Sequence, residues 1–242
     1  MAMRWVAIVM GGLLAACSNP ETDKKIADME ARLVALEEKS KGARPGAPAV
    51  ADDPGEEAAT ELLKAANSAF EAQKYDDAKA KLAELTEKYP NTKAAKSSAR
   101  LSGELVVIGR PAGELAVAEW LQGKTDFSQG NATLVVFFEE WCPHCKREVP
   151  KLEATYGKYK GKGLNMVGLT KLTKGGTKEK VMALLNENKV TYPVAQEQGQ
   201  ALSDNFGVRG IPAAAVVKGG QIVWRGHPAK ISDAMIEGWI GG

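Results

Sequence analysis

The sequence predicts an α/β protein in which helices precede a layered domain of strands and helices. Two apolar runs of strand length, "TLVVFF" at 133–138 and "LNMVGLT" at 164–170, predict strands that are covered on both faces. The helical stretch "CKREVPKLEATYGKYK" joins them, so we expect a parallel pair. "AAAVVK" and "QIVWRG", at 213–218 and 221–226, predict a β-hairpin that turns at Gly219-Gly220.

The chain begins with a segment typical of an export signal. Arg4 precedes an apolar run, Trp5 to Ala16, that is too short to span a bilayer comfortably and ends in small residues. "LAAC", which ends at Cys17, resembles the lipobox of bacterial lipoproteins. The resemblance implies a signal peptide at 1–16 and a diacylglycerol on the Cys17 thiol. The alternative is an ordinary signal peptide with a chance cysteine.

The residue after Cys17 indicates where such an anchor would lie. By the sorting rule of these lipoproteins, Ser18 in place of aspartate suggests the periplasmic side of the outer membrane, with inner-membrane anchoring as the alternative. An exported chain meets an environment in which disulfides persist. Acylation of Cys17 would leave Cys142 and Cys145 as the remaining thiols of the chain.

Two segments are predicted between the anchor and the first helices. Residues 17–40 contain apolar positions spaced three, four and three apart, as on the seam of a coiled coil: Ile26, Met29, Leu33 and Leu36. About two heptads are marginal for a coiled coil, so self-association through 21–40 and a single amphipathic helix are both open. Residues 41–55 are rich in proline, glycine and alanine, and predict a flexible linker.

Residues 56–101 predict paired helices that resemble one tetratricopeptide repeat. The packing positions that carry the resemblance are Leu62, Ala65, Ala66, Phe70, Ala78, Leu82, Leu85 and Pro90. One repeat cannot bury its own face, so it must pack on a third helix at 92–101, on another chain or on the next domain. The segment is either a partner-binding surface or a helical spacer.

Residues 102–242 contain further helices that alternate with the predicted strands. The helix that carries the cysteines should be kinked at Pro150. Thr177 predicts the N-cap of a second helix, "TKEKVMALLNENK". A short helix in "GQALSDNFGV" and a final helix in "KISDAMIEGWI" complete the expected order of strand, helix, strand, helix, hairpin and helix.

The stretch "EEWCPHC" places two cysteines where the first buried strand gives way to a helix. At a helix start, unpaired N–H groups and the positive end of the dipole stabilise an anion, here the thiolate of Cys142. Cys145 lies one helical turn further on and is expected to be less exposed. Cys142 can then attack a substrate disulfide, and Cys145 can resolve the mixed disulfide that forms.

Metal binding is the main alternative for this pair of cysteines. A structural zinc site needs about four ligands, and the sequence offers only two thiolates and two histidines, His144 and His227. His144 lies inside the motif and is poorly placed to share one ion with both cysteines. Soft thiolates suit Cu(I), but no methionine cluster accompanies them. We therefore expect no metal and no other cofactor. A formal net charge of +2 over 242 residues gives no case for a nucleic-acid partner.

Two longer stretches, "FFEEWCPHCKREVPKL" and "NFGVRGIPAAAVVKGGQIVWRG", resemble the thioredoxin superfamily. The form "WCxxCxxExP" on an exported chain is similar to the TlpA-like thiol-disulfide oxidoreductases, and the resemblance covers about 102–242. It implies a thioredoxin-like fold, exchange of disulfides with protein thiols, and a cis Ile211-Pro212 bond that packs against the cysteines. Pro143 and Pro212 would shape the site, and Trp141 and Ile211 would contact the substrate.

Several acidic residues are candidates for moving a proton at the site. Glu148, six residues after Cys142, matches the glutamate of the TlpA-like pattern that is implicated in proton movement, and the alternative is a solvated helix glutamate. Val136 stands where cytosolic thioredoxins carry a buried aspartate. Glu139 and Glu140 are therefore the other candidate proton carriers.

His144 bears on the direction of electron flow. A histidine just before the second cysteine can donate a hydrogen bond or positive charge toward the Cys142 thiolate, which would make the disulfide a stronger oxidant. The Pro-His pair also occurs in DsbA-like oxidases, whereas TlpA-like proteins are often reductases, so the direction is open. A self-associated form would suit a disulfide isomerase. The remaining alternative is a partner-binding scaffold with a secondary redox site. The second histidine of the chain, His227, is expected to be a loop residue without a catalytic role.

Overall fold

The computed structural model describes residues 55–241 of the chain. The predicted signal peptide at 1–16, the lipidation of Cys17, the helix at 17–40 and nearly all of the linker at 41–55 lie outside the described residues. Within 55–241, no helix has both the length and the apolarity that a membrane span requires.

Four helices open the described part of the chain and pack around an apolar cluster of their own. Their bounds are α1 Glu56–Glu71, α2 Tyr75–Lys88, α3 Lys93–Ser97 and α4 Ala99–Leu105. The cluster is built from alanine, leucine and phenylalanine residues of the four helices, including Ala59, Ala66, Phe70, Ala78, Leu82, Leu85, Ala95, Leu101 and Leu105. The Glu56 carboxylate accepts the backbone N–H groups of Lys93 and Ala94, which ties the start of α1 to the start of α3. The predicted helix pair therefore packs on further helices, as expected.

A six-stranded mixed sheet follows the helices. Its strands are β1 Val117–Gln122, β2 Ala132–Phe137, β3 Leu164–Thr170, β4 Val194–Glu197, β5 Ala213–Lys218 and β6 Gln221–Gly226. They lie in the order β1-β4-β3-β2-β5-β6, with β2 parallel to β3, β3 parallel to β4, and the other pairs antiparallel. The structure contains the predicted parallel pair and the predicted hairpin.

Two strands of this sheet were not predicted from the sequence. β1 lies at the edge and has a single buried residue, Leu121, so "VAEWLQ" lacks the continuous apolar run of a central strand. β4 is only four residues long, and its sequence "VAQE" is too short and too polar to give a periodic signal. Both are defined by their neighbours in the sheet, because β1 pairs with β4 and β4 pairs with β3.

Helices cover both faces of the sheet. They are α5 Pro143–Tyr159, α6 Lys178–Glu187, α7 Ala201–Asn205 and α8 Asp233–Ile240. Alternate residues of β2 point to opposite sides, so that Leu134 and Val136 pack with α5, α6 and α8, whereas Val135 and Phe137 pack with the α7 side. Thr177 caps α6 as predicted, since its side chain accepts the N–H of Lys180.

The helical segment is attached to the sheet by the chain that follows α4. Val107 lies in the apolar cluster on the α7 side of the sheet. The backbone N–H groups of Gly109 and Ala112 donate to Ile222 and Gly220 of the β-hairpin, each at 2.8 Å. The predicted border between 56–101 and 102–242 falls inside α4, which continues to Leu105.

Candidate active site

The two cysteines lie where β2 leads into α5. Cys142 is the N-cap of α5, and its Sγ accepts the backbone N–H of Cys145 at 3.4 Å. Pro143 occupies the first turn, where a missing N–H leaves no helical hydrogen bond unmade. The sulfur of Cys142 thus lies at the positive end of the helix, as the sequence predicts.

The surroundings of the two thiols differ. Cys142 is 5% exposed and Cys145 is 1% exposed. Burial, and after it the hydrogen bond with Cys142, raise the pKa of the Cys145 thiol to about 12. The backbone N–H of Glu139 acts in the opposite direction, but the net effect keeps Cys145 protonated near neutral pH. Cys142 is therefore the better candidate for first contact with a substrate.

A loop with a cis peptide bond faces the cysteines. The Ile211-Pro212 bond is cis, as the resemblance implied, and it directly precedes β5. The carbonyl oxygen of Ile211 lies 3.9 Å from Cys142 Sγ, within the range of a weak S–H hydrogen bond. The structure thus brings the Cys142 and Cys145 pair next to Ile211 and Pro212, which lie about 70 positions later in the sequence.

Trp141 forms one side of this site. Its indole Nε1 donates to Thr173 Oγ1 at 3.2 Å, and the Lys174 ammonium lies 4.0 Å from the ring centre. Trp141 and Ile211 both line a cavity of about 230 Å³ next to the cysteines. The two residues predicted to contact the substrate therefore border the same depression.

Glu148 is buried on the helix that carries the cysteines. It is 7% exposed, and its Oε1 lies 2.9 Å from Lys151 Nζ, so it is not a solvated helix glutamate. Glu148 lies three residues after Cys145, which places the two side chains on the same face of α5. Its side chain also lines a cavity of about 150 Å³ that is large enough to hold water.

Glu139 and Glu140 are also buried, but they hold backbone in place. Both oxygens of Glu139 accept hydrogen bonds from the end of β3 and the loop after it. The donors are Thr170 Oγ1 at 3.1 Å, Lys171 N–H at 3.0 Å and Thr173 N–H at 3.2 Å. Glu140 Oε2 accepts the N–H of Trp141 at 2.7 Å. These bonds make both carboxylates fixed acceptors, and the charge of Glu139 also acts to raise the pKa of the Cys145 thiol.

His144 is exposed and contacts Arg147. Its Nδ1 lies 2.5 Å from Arg147 Nη2, and because a guanidinium can only donate, Nδ1 is the acceptor and the ring proton is on Nε2. Within residues 55–241, the hydrogen bonds at Cys142 Sγ involve Cys145 N–H and the Ile211 carbonyl. The predicted hydrogen bond from His144 to this sulfur is not formed in this arrangement.

His227 lies nearer to the site than the sequence suggested. It follows β6 in a loop, as predicted, and its Nδ1 accepts the N–H of Ala229 at 3.1 Å. Burial lowers the pKa of His227 below 6.5, although the charge of Glu148 acts to raise it. His227 lines a cavity together with Pro212. Over the described residues 55–241, no group of three or more His, Cys, Asp or Glu side chains is placed to hold a metal ion.

This architecture is a thioredoxin-like fold, which confirms the predicted fold class. The parallel β2-α5-β3 unit presents a CxxC pair at its helix start, and the cis-proline loop before the β5–β6 hairpin faces that pair. Two thiols held in this way define a site of the class that exchanges thiols and disulfides.

Known proteins of the same class resemble this chain. A sequence model of the AhpC/TSA family matches residues 111–225. Thiol-disulfide oxidoreductase ResA of Halalkalibacterium halodurans is 27% identical over 110 residues, which are 45% of this chain and 60% of that protein. The ResA protein of Bacillus thuringiensis strain Al Hakam is 28% identical over 123 residues, which are 50% of this chain and 69% of that protein. The chain therefore spans about 60% to 70% of the length of these relatives.

Among solved structures, the thioredoxin domain of a thiol-disulfide oxidoreductase from Bacteroides vulgatus superposes with a TM-score of 0.46 at 22% identity. The superposition covers 55% of this chain and 97% of that domain. The two ResA relatives support the predicted enzyme class, a thiol-disulfide oxidoreductase.

Proposed function

We propose that the protein is a thiol-disulfide oxidoreductase that acts on protein thiols and disulfides through Cys142 and Cys145. The observation that carries this proposal is the position of Cys142 Sγ at the start of α5, 3.9 Å from the carbonyl of the cis-proline loop. An extended peptide that pairs with the backbone at Ile211 would place its own sulfur next to Cys142.

The first chemical step uses Cys142 as the nucleophile. Its thiolate attacks one sulfur of a substrate disulfide, which forms a bond between Cys142 Sγ and that sulfur and breaks the substrate S–S bond. The other substrate sulfur leaves as a thiolate and takes up a proton. The N–H of Cys145 already points to Cys142 Sγ and stabilises negative charge there.

The second step uses Cys145 to release the substrate. Because the pKa of the Cys145 thiol is raised to about 12, a base must accept its proton before it attacks Cys142 Sγ. That attack forms the Cys142–Cys145 disulfide and expels the second substrate thiolate, so two electrons pass to the substrate. An external dithiol returns the protein to its reduced form. The reverse sequence oxidises a substrate dithiol, and an external disulfide then re-oxidises the protein.

We assign the role of proton acceptor in the second step to Glu148. It is buried, lies on the same face of α5 as Cys145, and lines a water-sized cavity that offers an exchange path. Its partner Lys151, at 2.9 Å, keeps the carboxylate in one position. Glu139 is less suited, because both of its oxygens are committed to the loop after β3.

We further infer that the protein is exported and anchored by a lipid on Cys17, at the periplasmic side of the outer membrane. The apolar run before "LAAC" and Ser18 after the cysteine support this location. Its partners would then be exported proteins with thiols or disulfides, and a dithiol donor or disulfide acceptor of the same compartment.

An insulin-reduction assay with dithiothreitol, paired with oxidative refolding of a reduced protein, tests the proposed activity. We expect the wild type to accelerate at least one of the two reactions and Cys142→Ser to fall to the rate without enzyme. The variant Cys145→Ser should instead trap a mixed disulfide with the substrate, visible on a non-reducing gel. A wild type that is inert in both assays would favour the scaffold alternative.

A further inference from the structure

A second cavity, of about 430 Å³, shares Arg209, Gly210 and Ile211 of the cis-proline loop with the cavity that Trp141 lines. One wall is α4 of the helical segment, and the opposite wall is formed by the loop at Ile211-Pro212 and the end of β6. Ile211 borders this cavity and also lies 3.9 Å from Cys142 Sγ. A peptide bound at the sulfur would therefore extend directly into the cavity.

The charged side chains around this cavity are unbalanced. Three arginines line it, Arg100 on α4, Arg209 in the loop and Arg225 on β6, against a single acidic residue, Glu104. Glu104 is already engaged, because Arg100 Nε donates to its Oε1 at 3.1 Å. Burial lowers the pKa of His227, so His227 adds a polar but uncharged ring at neutral pH.

Arg225 is the buried member of these three arginines. It is only 5% exposed, and its guanidinium donates to neutral carbonyl oxygens, those of Phe206 at 2.8 Å and Gly226 at 2.9 Å among them. Within residues 55–241, no carboxylate lies within 4.0 Å of it. A buried cation without a counter-ion is unfavourable, and an anion in the cavity would offset that cost.

We propose that this cavity is a subsite for an acidic side chain of the substrate, one to three residues from its reacting cysteine. The proposal rests on the thiol-disulfide exchange proposed above and adds a substrate class to it. A strand advances about 3.3 Å per residue and sends alternate side chains to the same side, so the flanking residues of a bound peptide reach the cavity. Arg209 at the mouth and Arg225 at the wall supply the charge that selects a carboxylate.

The preference for an acidic residue can be measured with a set of disulfide-linked fluorogenic peptides. They differ only in the residue next to the cysteine, which is glutamate, glutamine or lysine. The full chain is assayed with dithiothreitol as electron donor, and kcat/KM is compared between peptides. We expect the glutamate peptide to be favoured over the glutamine peptide by about tenfold at low ionic strength. At about 1 M salt, where the screening length is about 3 Å, the ratio of kcat/KM between the glutamate and glutamine peptides should approach one.

Charge reversal separates a specificity role from a structural one. Arg100→Glu and Arg209→Glu should each reduce the preference for glutamate and raise the relative rate with the lysine peptide. Arg110→Glu is the matched control, because Arg110 is exposed and lies outside the cavity, and we expect it to keep the wild-type preference.

The outcomes distinguish this proposal from the one on which it rests. If the wild type turns over the glutamate and glutamine peptides at the same rate, the acidic subsite is wrong and the exchange activity stands. A preference that persists unchanged in both charge-reversal variants overturns the subsite as well. If the wild type turns over none of the peptides and also fails with insulin, the exchange activity itself is wrong.

Discussion

Cys142 and Cys145 lie one helical turn apart, and their surroundings assign them different chemistry. Cys142 Sγ lies at the helix start and beside the Ile211 carbonyl, where the proposed substrate peptide would pair with the backbone. The pKa of Cys145 is raised to about 12, mainly by burial, so its thiol is held back until the mixed disulfide has formed and a base is available. The order of the two steps therefore follows from burial and position.

The position of Cys142 at a helix start, with Cys145 one turn further on, could be predicted from the sequence, because it depends on the local chain alone. The function of Glu139 could not, because its hydrogen-bond partners lie at 170–173, more than 30 positions later. The same holds for Arg225, which reads as an ordinary strand residue in "QIVWRG". Its place in a cavity depends on how β6 packs against α4.

At the scale of single residues, His144→Val tests the direction of electron flow. The imidazole adds a polar group to the first turn of α5. Its removal should make the Cys142 thiolate less stable and so favour the Cys142–Cys145 disulfide over the dithiol. We expect the reduction potential of the Cys142–Cys145 pair to fall, as measured by titration against glutathione. A fall of about 30 mV corresponds to a tenfold change in the equilibrium constant.

Arg147→Gln serves as the control, because Arg147 contacts the ring at 2.5 Å and brings its own charge close to the site. A potential that is unchanged in His144→Val would show that the ring has no influence on the cysteines. An equal fall in both variants would assign the effect to the guanidinium.

At the scale of the element, α5 combines the functional groups that local sequence rules can predict. Its N-cap is Cys142, and Cys145, Glu148 and Lys151 recur at intervals of three along it, so they share a face. Apolar runs likewise allowed β2, β3, β5 and β6 to be predicted. The strands β1 and β4 were not predicted, because an edge strand with one buried residue and a four-residue strand carry little apolar pattern and depend on their partners in the sheet.

Glu148→Gln tests the helix face as a proton path. We expect the second step, release of substrate from the mixed disulfide, to slow by about a hundredfold at neutral pH, which is within the usual range for loss of a general base. Without the carboxylate, the rate should rise about tenfold per pH unit toward the Cys145 pKa of about 12, because hydroxide must then remove the proton.

Stopped-flow measurement of substrate release across pH would give this profile. Glu153→Gln is the matched control on the same helix, because Glu153 accepts hydrogen bonds from Thr191 and not from the site. A pH profile of Glu148→Gln that matches the wild type would exclude the assigned role.

At the scale of the whole molecule, the helical segment forms one wall of the 430 Å³ cavity beside the cis-proline loop. Trp239 on α8 donates to Gln73 Oε1 at 3.1 Å, and Lys230 lies 3.4 Å from Glu71. The sequence allowed a third helix, another chain or the next domain as the packing partner of the helix pair. The structure shows contacts with α3 and α4 and with the thioredoxin-like domain. The resemblance to a tetratricopeptide repeat stays a prediction.

The location of the whole molecule is tested by Cys17→Ala. If Cys17 carries the lipid, this substitution should move the protein from the membrane pellet to the soluble fraction of disrupted cells. Cys142→Ala is the matched control, since it removes a different thiol and should leave the protein in the pellet. A Cys17→Ala protein that still sediments with membranes would contradict the lipobox.

The attachment of the helices to the hairpin limits how this protein could be recombined with others. Val107 lies in the apolar cluster on the α7 side of the sheet, and the stretch around it is hydrogen-bonded to Gly220 of the β5–β6 turn and to Ile222 of β6. A domain transplanted from residue 102 onward would begin inside α4 and would lose Ala99 and Arg100 from the wall of the 430 Å³ cavity. A transferable unit therefore has to include the helices as well as the thioredoxin-like fold.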